Sequence, residues 1–171
     1  MRNIILCGFM GCGKTTVGRS LSELTGLLFV DMDAAIEEKA GMPVADIFSK
    51  FGEEGFRLRE REACAELASR QGLVIAAGGG ALTFRENVDT LSKTGDIVLL
   101  DVPLSIILKR LEGDNTRPLL ARPDREQAAR ELYDSRLPLY RAAADFIVDG
   151  CGKPDEIARR VIETLGLPET R

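Results

Sequence analysis

Five short apolar segments recur along the chain, separated by longer segments of mixed character. Almost every residue in the short segments is apolar, which is typical of strands buried on both faces of a parallel sheet. The predicted strands are Asn3–Cys7, Leu28–Asp31, Leu73–Ala77, Ile97–Val102 and Phe146–Asp149.

The intervening segments have the apolar spacing of helices that pack one face against a sheet. The last of them has Val161, Ile162 and Leu165 on one stripe, starts at Pro154 and ends at Gly166. The predicted helices cover approximately residues 14–25, 33–41, 53–71, 82–93, 103–112, 124–144 and 154–165. The alternation predicts a single α/β domain over residues 1–171, with a five-stranded parallel sheet between two layers of helices.

Composition excludes several classes of function. The 171 residues are 44% hydrophobic and 29% charged, which does not fit a disordered chain. The net charge of -4 argues against a nucleic-acid partner. The absence of histidine excludes a histidine base and most zinc enzymes. No apolar stretch approaches a membrane span, and four cysteines without a CxxC pair predict free thiols, so we expect a cytoplasmic protein.

Residues 8–15 read GFMGCGKT and match the phosphate-binding pattern G-x-x-x-x-G-K-[ST], between a predicted strand and a predicted helix. Glycines let the backbone wrap around phosphate oxygens, and the helix N-terminus adds its positive dipole end. Lys14 is expected to reach the β- and γ-phosphates, and the Thr15 hydroxyl to bind Mg²⁺. The predicted nucleotide contacts here are Gly11, Cys12, Gly13, Lys14, Thr15 and Thr16.

Two acidic strand ends are candidates for the metal site. Asp31 and Asp33 follow the second strand, and Asp101 follows the fourth. Strand ends on this side of an open α/β sheet face the ligand crevice, which favours Asp31 without excluding Asp101. Asp33 is the candidate to orient or deprotonate a substrate hydroxyl, and its alternative role is the N-cap of a helix that begins at Ala34.

A second group of residues could bind an anionic substrate. Arg57 and Glu60 share one helix face, although such a pair is often only a solvated surface pair. The glycines at 78–80 follow a strand and could approach a ligand closely, or form a flexible loop. Arg136 lies on a helix face with apolar neighbours, which favours a paired or ligand-bound arginine. The polar segment 112–124 is long for a simple connection and is predicted to be a lid.

Together these motifs resemble the shikimate kinase family over nearly the whole chain. The resemblance rests on the phosphate-binding loop and on an acidic motif at 29–33, in which Met32 stands where a threonine is common. It rests further on Gly52-Glu53 with Phe56, Arg57 and Glu60, on the glycine triplet, on Arg117-Pro118-Leu119, on residues 136–140 and on Ala144-Asp145.

The resemblance implies transfer of the γ-phosphoryl group of ATP to the 3-hydroxyl of shikimate, with Mg²⁺, in the route to aromatic amino acids. It implies strand order 2-3-1-4-5, a substrate-binding region at about 32–61, and Asp31 rather than Asp101 on the metal side. The implied substrate contacts are Asp33, Arg57, Glu60, Gly78, Gly79, Gly80 and Arg136. The implied lid residue is Arg117, and the implied contacts of the nucleotide base are Arg110, Lys153 and Pro154.

Two other functions fit part of the pattern. A kinase for gluconate or a nucleotide would share the phosphate-binding loop and the lid, but not the pairing of Arg57 and Arg136 with the glycine triplet. A nucleotide-dependent switch would need the loop alone, and would have no use for Asp33 and Arg117. The chain is expected to act as a monomer.

Overall fold

The computed structural model describes residues 1–112 and 123–170. Five parallel strands form one sheet in the order β2-β3-β1-β4-β5, which confirms the expected order. The strands are β1 (Asn3–Cys7), β2 (Leu28–Asp31), β3 (Leu73–Ala76), β4 (Gly95–Asp101) and β5 (Phe146–Asp149).

Helices connect these strands. They are α1 (Lys14–Thr25), α2 (Met32–Ala40), α3 (Val44–Ala68), α4 (Arg85–Ser92), α5 (Leu104–Leu111), α6 (Arg125–Ala143) and α7 (Pro154–Leu165), with a 3-10 turn at Ala81–Thr83. Within the described ranges, none of the helices has the length and apolarity needed to cross a membrane.

The direction of the crossovers divides the helices between the two faces of the sheet. The connection from β1 to β2 runs one way along the sheet, whereas those from β2 to β3, β3 to β4 and β4 to β5 run the other way. Because such crossovers are right-handed, α1 lies on one face and α2 to α6 lie on the other. Helix α7 contacts α1 and completes the first layer. The result is the expected three-layer α/β/α arrangement.

The register of the adjacent strands β1, β3 and β2 brings the candidate loops together. Leu6 of β1 pairs with Ala76 of β3, and Ala76 in turn pairs with Asp31 of β2. The Ala77 N–H donates to the Leu6 carbonyl at 3.1 Å, so the two central strands end level with each other. The phosphate-binding loop, the glycine triplet and Asp31 therefore meet at one edge of the sheet.

Burial of the strands differs between the centre and the edges of the sheet. Strands β1 and β3 are buried along their whole length, as their sequences predict. Strands β2 and β5 are apolar too, but they lie at the edges, and Leu28 and Ile147 are 64% and 53% exposed. The expectation that every strand is buried on both faces is wrong for these two, because an edge strand lacks a neighbour on one side.

The first part of α3, before its break, was not predicted. The sequence indicated a helix from 53, whereas α3 begins at Val44 and contains a break at Gly52, where φ is 71° and ψ is -177°. Residues 44–51 form two turns, with Ile47 fully buried, after Pro43 in an extended conformation. Aromatic and β-branched residues in this segment give a weak helical propensity, which tertiary packing overrides.

Candidate active site

The phosphate-binding loop joins β1 to α1 through three glycines with positive φ. Gly8, Gly11 and Gly13 have φ of 151°, 77° and 96°, which side-chain-bearing residues rarely adopt. The Lys14 ammonium donates to the carbonyls of Gly8 at 2.5 Å and Phe9 at 3.1 Å. The lysine thus folds back over the loop, at the N-terminus of α1, where its charge and the helix dipole attract a phosphate.

Thr15 and Asp31 contact each other directly. The Thr15 hydroxyl donates to Oδ2 of Asp31 at 2.8 Å, and Oδ1 of Asp31 accepts from the Ala34 N–H at 3.1 Å. Asp31 is therefore the N-cap of α2. The alternative in which Asp33 is the N-cap is wrong, because the helix begins at Met32 and Asp33 lies within its first turn.

Asp101 lies at the end of β4, on the other side of β1, where it pairs with Asp149 of β5. Burial is the largest cause that raises the pKa of Tyr133, and the charge of Asp101 is the next largest. Its backbone carbonyl accepts from the Gly150 N–H at 2.9 Å. The structure brings Asp31, rather than Asp101, into contact with Thr15.

Arg57 and Glu60 form a pair inside the molecule rather than on its surface. Nη1 of Arg57 donates to Oε1 of Glu60 at 2.5 Å, and the two side chains are 12% and 1% exposed. Burial raises the pKa of the Glu60 carboxyl, against the lowering effect of the Arg57 charge and hydrogen bond. Helix α3 thus supplies a guanidinium whose orientation is fixed by a buried carboxylate.

The glycine loop at 78–80 packs closely against the other candidate residues, and a side chain at Gly78 or Gly80 would clash with them. A Cβ on Gly78 would lie 2.8 Å from Oδ1 of Asp33, and a Cβ on Gly80 would lie 2.6 Å from Nη1 of Arg57. A Cβ on Gly79 would lie 3.5 Å from Nη1 of Arg136. The predicted substrate contacts therefore come together around one loop.

Two polar atoms in this cluster have no partner within the described part of the chain. They are Nε of Arg57 and Oε2 of Glu60, and both are buried. Arg136 is also buried, with 8% of its surface exposed. Unpaired buried polar groups cost free energy. Their presence next to the charges of Arg57 and Arg136 is therefore typical of a site that binds a polar, anionic ligand.

The residues expected at the nucleotide base lie on the outer side of the loop. Nη1 of the exposed Arg110, in α5, donates to the Gly11 carbonyl at 3.2 Å. Lys153 and Pro154 begin α7 and border a shallow depression of about 580 Å³ that also contains Thr16 and Ser20 of α1.

A cavity of about 750 Å³ connects the two halves of the site. Its lining includes Lys14 and Thr15 of the phosphate-binding loop together with Asp33 and Gly79. A phosphate on the loop and a small molecule beside the glycine triplet would thus share one space, as phosphoryl transfer requires. Arg117 and most of the predicted lid lie outside the described residues.

Comparison with known proteins decides the family. The family model for shikimate kinase matches residues 10–166. A shikimate kinase of Halorhodospira halophila is 46% identical over 163 residues, which are 95% of this chain and 92% of the relative. The chain belongs to the shikimate kinase family. A shikimate kinase of Thermodesulfovibrio yellowstonii is 42% identical over 95% of this chain and 94% of its own length.

Solved structures of shikimate kinases have the same fold. Shikimate kinase from Acinetobacter baumannii in complex with shikimate has a TM-score of 0.93 and 43% identity, over 96% of this chain and 93% of that one. Shikimate kinase from Aquifex aeolicus has a TM-score of 0.84 and 34% identity, over 96% of both chains. A gluconokinase from Sinorhizobium meliloti, with a TM-score of 0.64 and 20% identity, shares the fold alone. The predicted family, enzyme class and fold are confirmed.

Sequence reasoning missed two contacts that shape the site. Tyr140, in α6, donates from its hydroxyl to the Gly79 carbonyl. Phe84 lies beneath Arg57, with the guanidinium carbon 5.2 Å from the ring centroid. Tyr140 was noted as part of a motif, but its partner lies 61 residues away in sequence. No local pattern identifies either contact.

Proposed function

We propose that this enzyme transfers the γ-phosphoryl group of ATP to the 3-hydroxyl of shikimate, producing shikimate 3-phosphate and ADP in chorismate biosynthesis. The observation that carries this proposal is the shared cavity, which is lined by the phosphate-binding loop and by Asp33 and Gly79, next to the arginine and glycine cluster. The match of the shikimate kinase family over residues 10–166 supports the choice of substrate.

In this proposal the nucleotide lies along the outer side of the loop. The N–H groups of Gly11, Cys12 and Gly13 and the Lys14 ammonium bind the phosphates, and the loop geometry supports this role. To do so, Lys14 exchanges the Gly8 and Phe9 carbonyls for phosphate oxygens. The remaining proposed nucleotide contacts are Thr15, Thr16, Arg110, Arg117, Lys153 and Pro154.

Shikimate binds in the inner half of the cavity. Arg57 and Arg136 bind the carboxylate by charge-assisted hydrogen bonds, joined by the N–H groups of the glycine loop. Glu60 holds Arg57 in place, and the loop brings its backbone close enough to participate because it has no side chains. Along the chain, the region 32–61 contributes Asp33, Arg57 and Glu60.

Asp33 orients the attacking hydroxyl. It lies in the first turn of α2 and lines the cavity between Lys14 and Gly79. Without histidine in the chain, a carboxylate is the group available to accept or direct a hydroxyl proton. Lys14 and Arg117 then stabilise the charge on the transferring phosphoryl group.

The donor set near Thr15 fits Mg²⁺. A hydroxyl and a carboxylate oxygen lie 2.8 Å apart, and oxygen is the ligand that Mg²⁺ prefers. In residues 1–112 and 123–170, no cluster of three or more acidic or thiol side chains could hold a metal alone. This agrees with an ion that keeps several waters and binds substrate phosphates. Thr15 and Asp31 are its proposed protein ligands, Asp31 directly or through water.

The compartment and the assembly state are part of the proposal. All four cysteines are unpaired thiols, which supports a reducing compartment, and we place the enzyme in the cytoplasm. It is proposed to work as a monomer on ATP and shikimate, without nucleic acid or membrane. Size-exclusion chromatography with light scattering tests the assembly state.

The proposed substrate is tested by ADP release with shikimate, gluconate and AMP offered separately. We expect release with shikimate alone. The Arg136→Ala variant should lose about 2–5 kcal/mol of shikimate binding and keep its ATP affinity. Arg141→Ala is the matched control, since it removes an exposed arginine from the same helix. Release with another acceptor, or equal loss of both affinities in Arg136→Ala, would contradict the proposal.

A further inference from the structure

Side chains from outside the glycine loop donate hydrogen bonds to three successive carbonyl groups, those of residues 79–81. The Tyr140 hydroxyl of α6 donates to the Gly79 carbonyl. The Thr83 hydroxyl donates to the Gly80 carbonyl at 2.6 Å, and the Asn87 amide of α4 donates to the Ala81 carbonyl at 2.9 Å. Three successive peptide planes are therefore fixed by donors on the protein side.

The N–H groups of Gly79 and Gly80 differ from these carbonyl groups in their hydrogen bonding. No hydrogen bond from the N–H of Gly79 or Gly80 is found in the part of the chain that the structure describes. In a trans peptide the N–H points opposite to the C=O. Because the Gly79 carbonyl is directed at Tyr140, the Gly80 N–H is directed away from it and remains available to an anion.

Tyr140 also lies one helical turn from the second arginine of the site. Both residues lie in α6, four positions apart, and both are buried. Burial raises the pKa of the Tyr140 hydroxyl, against the lowering effect of the nearby Arg136 charge. The hydroxyl thus stays protonated and donates to the Gly79 carbonyl, and Nη1 of Arg136 would lie 3.5 Å from a Cβ on the same glycine.

We propose that Tyr140 is a positioning residue for the substrate carboxylate: its hydroxyl holds the Gly79–Gly80 peptide in the orientation in which the Gly80 N–H and the adjacent Arg136 guanidinium bind one anion together. This inference rests on the proposed function, because it concerns the carboxylate of shikimate. Tyr140 itself does not touch the substrate. It acts through the Gly79–Gly80 peptide, whose position relative to Arg136 decides whether the two can bind the same carboxylate.

The test is the Tyr140→Phe variant, which removes one oxygen atom. We expect the Kd and KM for shikimate to rise by roughly 5- to 20-fold, with the KM for ATP within about twofold of wild type. Tyr133→Phe is the matched control, since it removes a hydroxyl of the same helix that donates to the Val102 carbonyl at 3.1 Å. It should leave the Kd for shikimate unchanged.

A neutral ligand separates positioning from general stability. The primary amide of shikimate lacks the carboxylate charge, so Tyr140→Phe should weaken its binding far less than that of shikimate. Replacement of Tyr140 by p-aminophenylalanine, which keeps a donor at the same place, should restore most of the affinity. This second variant also serves if Tyr140→Phe fails to fold.

Two results would overturn the inference. One is equal weakening of the acid and the amide by Tyr140→Phe, and the other is a p-aminophenylalanine variant that folds but binds shikimate as weakly as the phenylalanine variant or more weakly. Failure of the proposed function gives a different result, because wild-type protein would then fail to prefer shikimate over its amide.

Discussion

The Glu60 carboxylate binds the Arg57 guanidinium from inside the protein, with 2.5 Å between Oε1 and Nη1 and only 1% of the Glu60 side chain exposed. A second carboxylate, on Glu53, lies 3.5 Å from Nη2 of the same guanidinium, at the surface. Arg57 is thus held at two of its nitrogens, while its buried Nε has no partner in the described residues. The position of this charge is set before any substrate arrives.

The Glu60→Gln variant should separate stability from substrate binding. Burial raises the pKa of Glu60, so folding penalises its charged form relative to the unfolded chain and a neutral amide should be tolerated. The amide binds a guanidinium more weakly than a carboxylate does. We expect the KM for shikimate to rise by about tenfold, at 1.4 kcal/mol per factor of ten, with a free energy of unfolding at pH 8 no lower than that of wild type.

The pH dependence of stability follows from the same shift. The pKa of Glu60 is raised above its ordinary value of 4.5, so the folded state binds more protons than the unfolded state above that pH. The contribution of Glu60 to the free energy of unfolding is complete below pH 4.5, and it is lost as the pH rises through the raised pKa of Glu60. Denaturant unfolding of both proteins from pH 4.5 upward should show wild type losing stability relative to Glu60→Gln. A relative gain would contradict the direction of the shift.

Alanine at position 80 should damage substrate binding without damaging the fold. Gly80 has φ of -102°, which alanine adopts without strain. Its Cβ would lie 2.6 Å from Nη1 of Arg57, so the guanidinium must move and its bond to Glu60 must lengthen. We expect Gly80→Ala to raise the KM for shikimate by about tenfold or more, a loss of about 1.4 kcal/mol, with Tm and the KM for ATP nearly unchanged. A variant with wild-type affinity for shikimate would refute the close approach.

The metal side of the site can be tested at Asp31. Asn retains the ability to cap α2, so Asp31→Asn should keep the helix while it removes the charge that accepts from Thr15. We expect a higher Mg²⁺ concentration at half-maximal rate, by roughly 10- to 150-fold, since a hydrogen bond to a charged group is worth about 1.5–3 kcal/mol and each 1.4 kcal/mol is a factor of ten. Asp101→Asn is the control for the rival strand end. A larger effect at Asp101 than at Asp31 would reverse the assignment.

Asp33→Asn should affect turnover more than binding. Loss of a group that orients or accepts a proton typically lowers rate by roughly 100- to 10,000-fold. We expect kcat to fall within that range, with the KM for ATP close to wild type. Glu38→Gln, which removes an exposed carboxylate from the same helix, serves as the control and should leave kcat unchanged. A near-wild-type rate in Asp33→Asn would remove the proposed role.

Much of this molecule could be predicted because its signals are local. Apolar segments indicated the strands, and residues 8–15 indicated the phosphate-binding loop with its glycines. The order of the strands and the family came from the arrangement of motifs along the chain. Both are confirmed.

What could not be predicted depends on contacts between distant parts of the chain. The Tyr140 hydroxyl meets Gly79 only because α6 packs beside the loop after β3, across 61 positions of sequence. Asp31 was judged from its strand position, but its double role as N-cap and as partner of Thr15 needs the register of β2 against β3. The first two turns of α3 were missed because packing of Ile47, not propensity, stabilises them.

The identity of the product made from ATP and shikimate with Mg²⁺ is the most direct test of the proposed reaction. Phosphorus and proton NMR of the purified product shows which hydroxyl carries the phosphoryl group. The proposed reaction gives one phosphomonoester, on the 3-hydroxyl, formed with one equivalent of ADP and absent when shikimate is omitted. A phosphoryl group on another hydroxyl, or hydrolysis of ATP without a phosphorylated product, would contradict it.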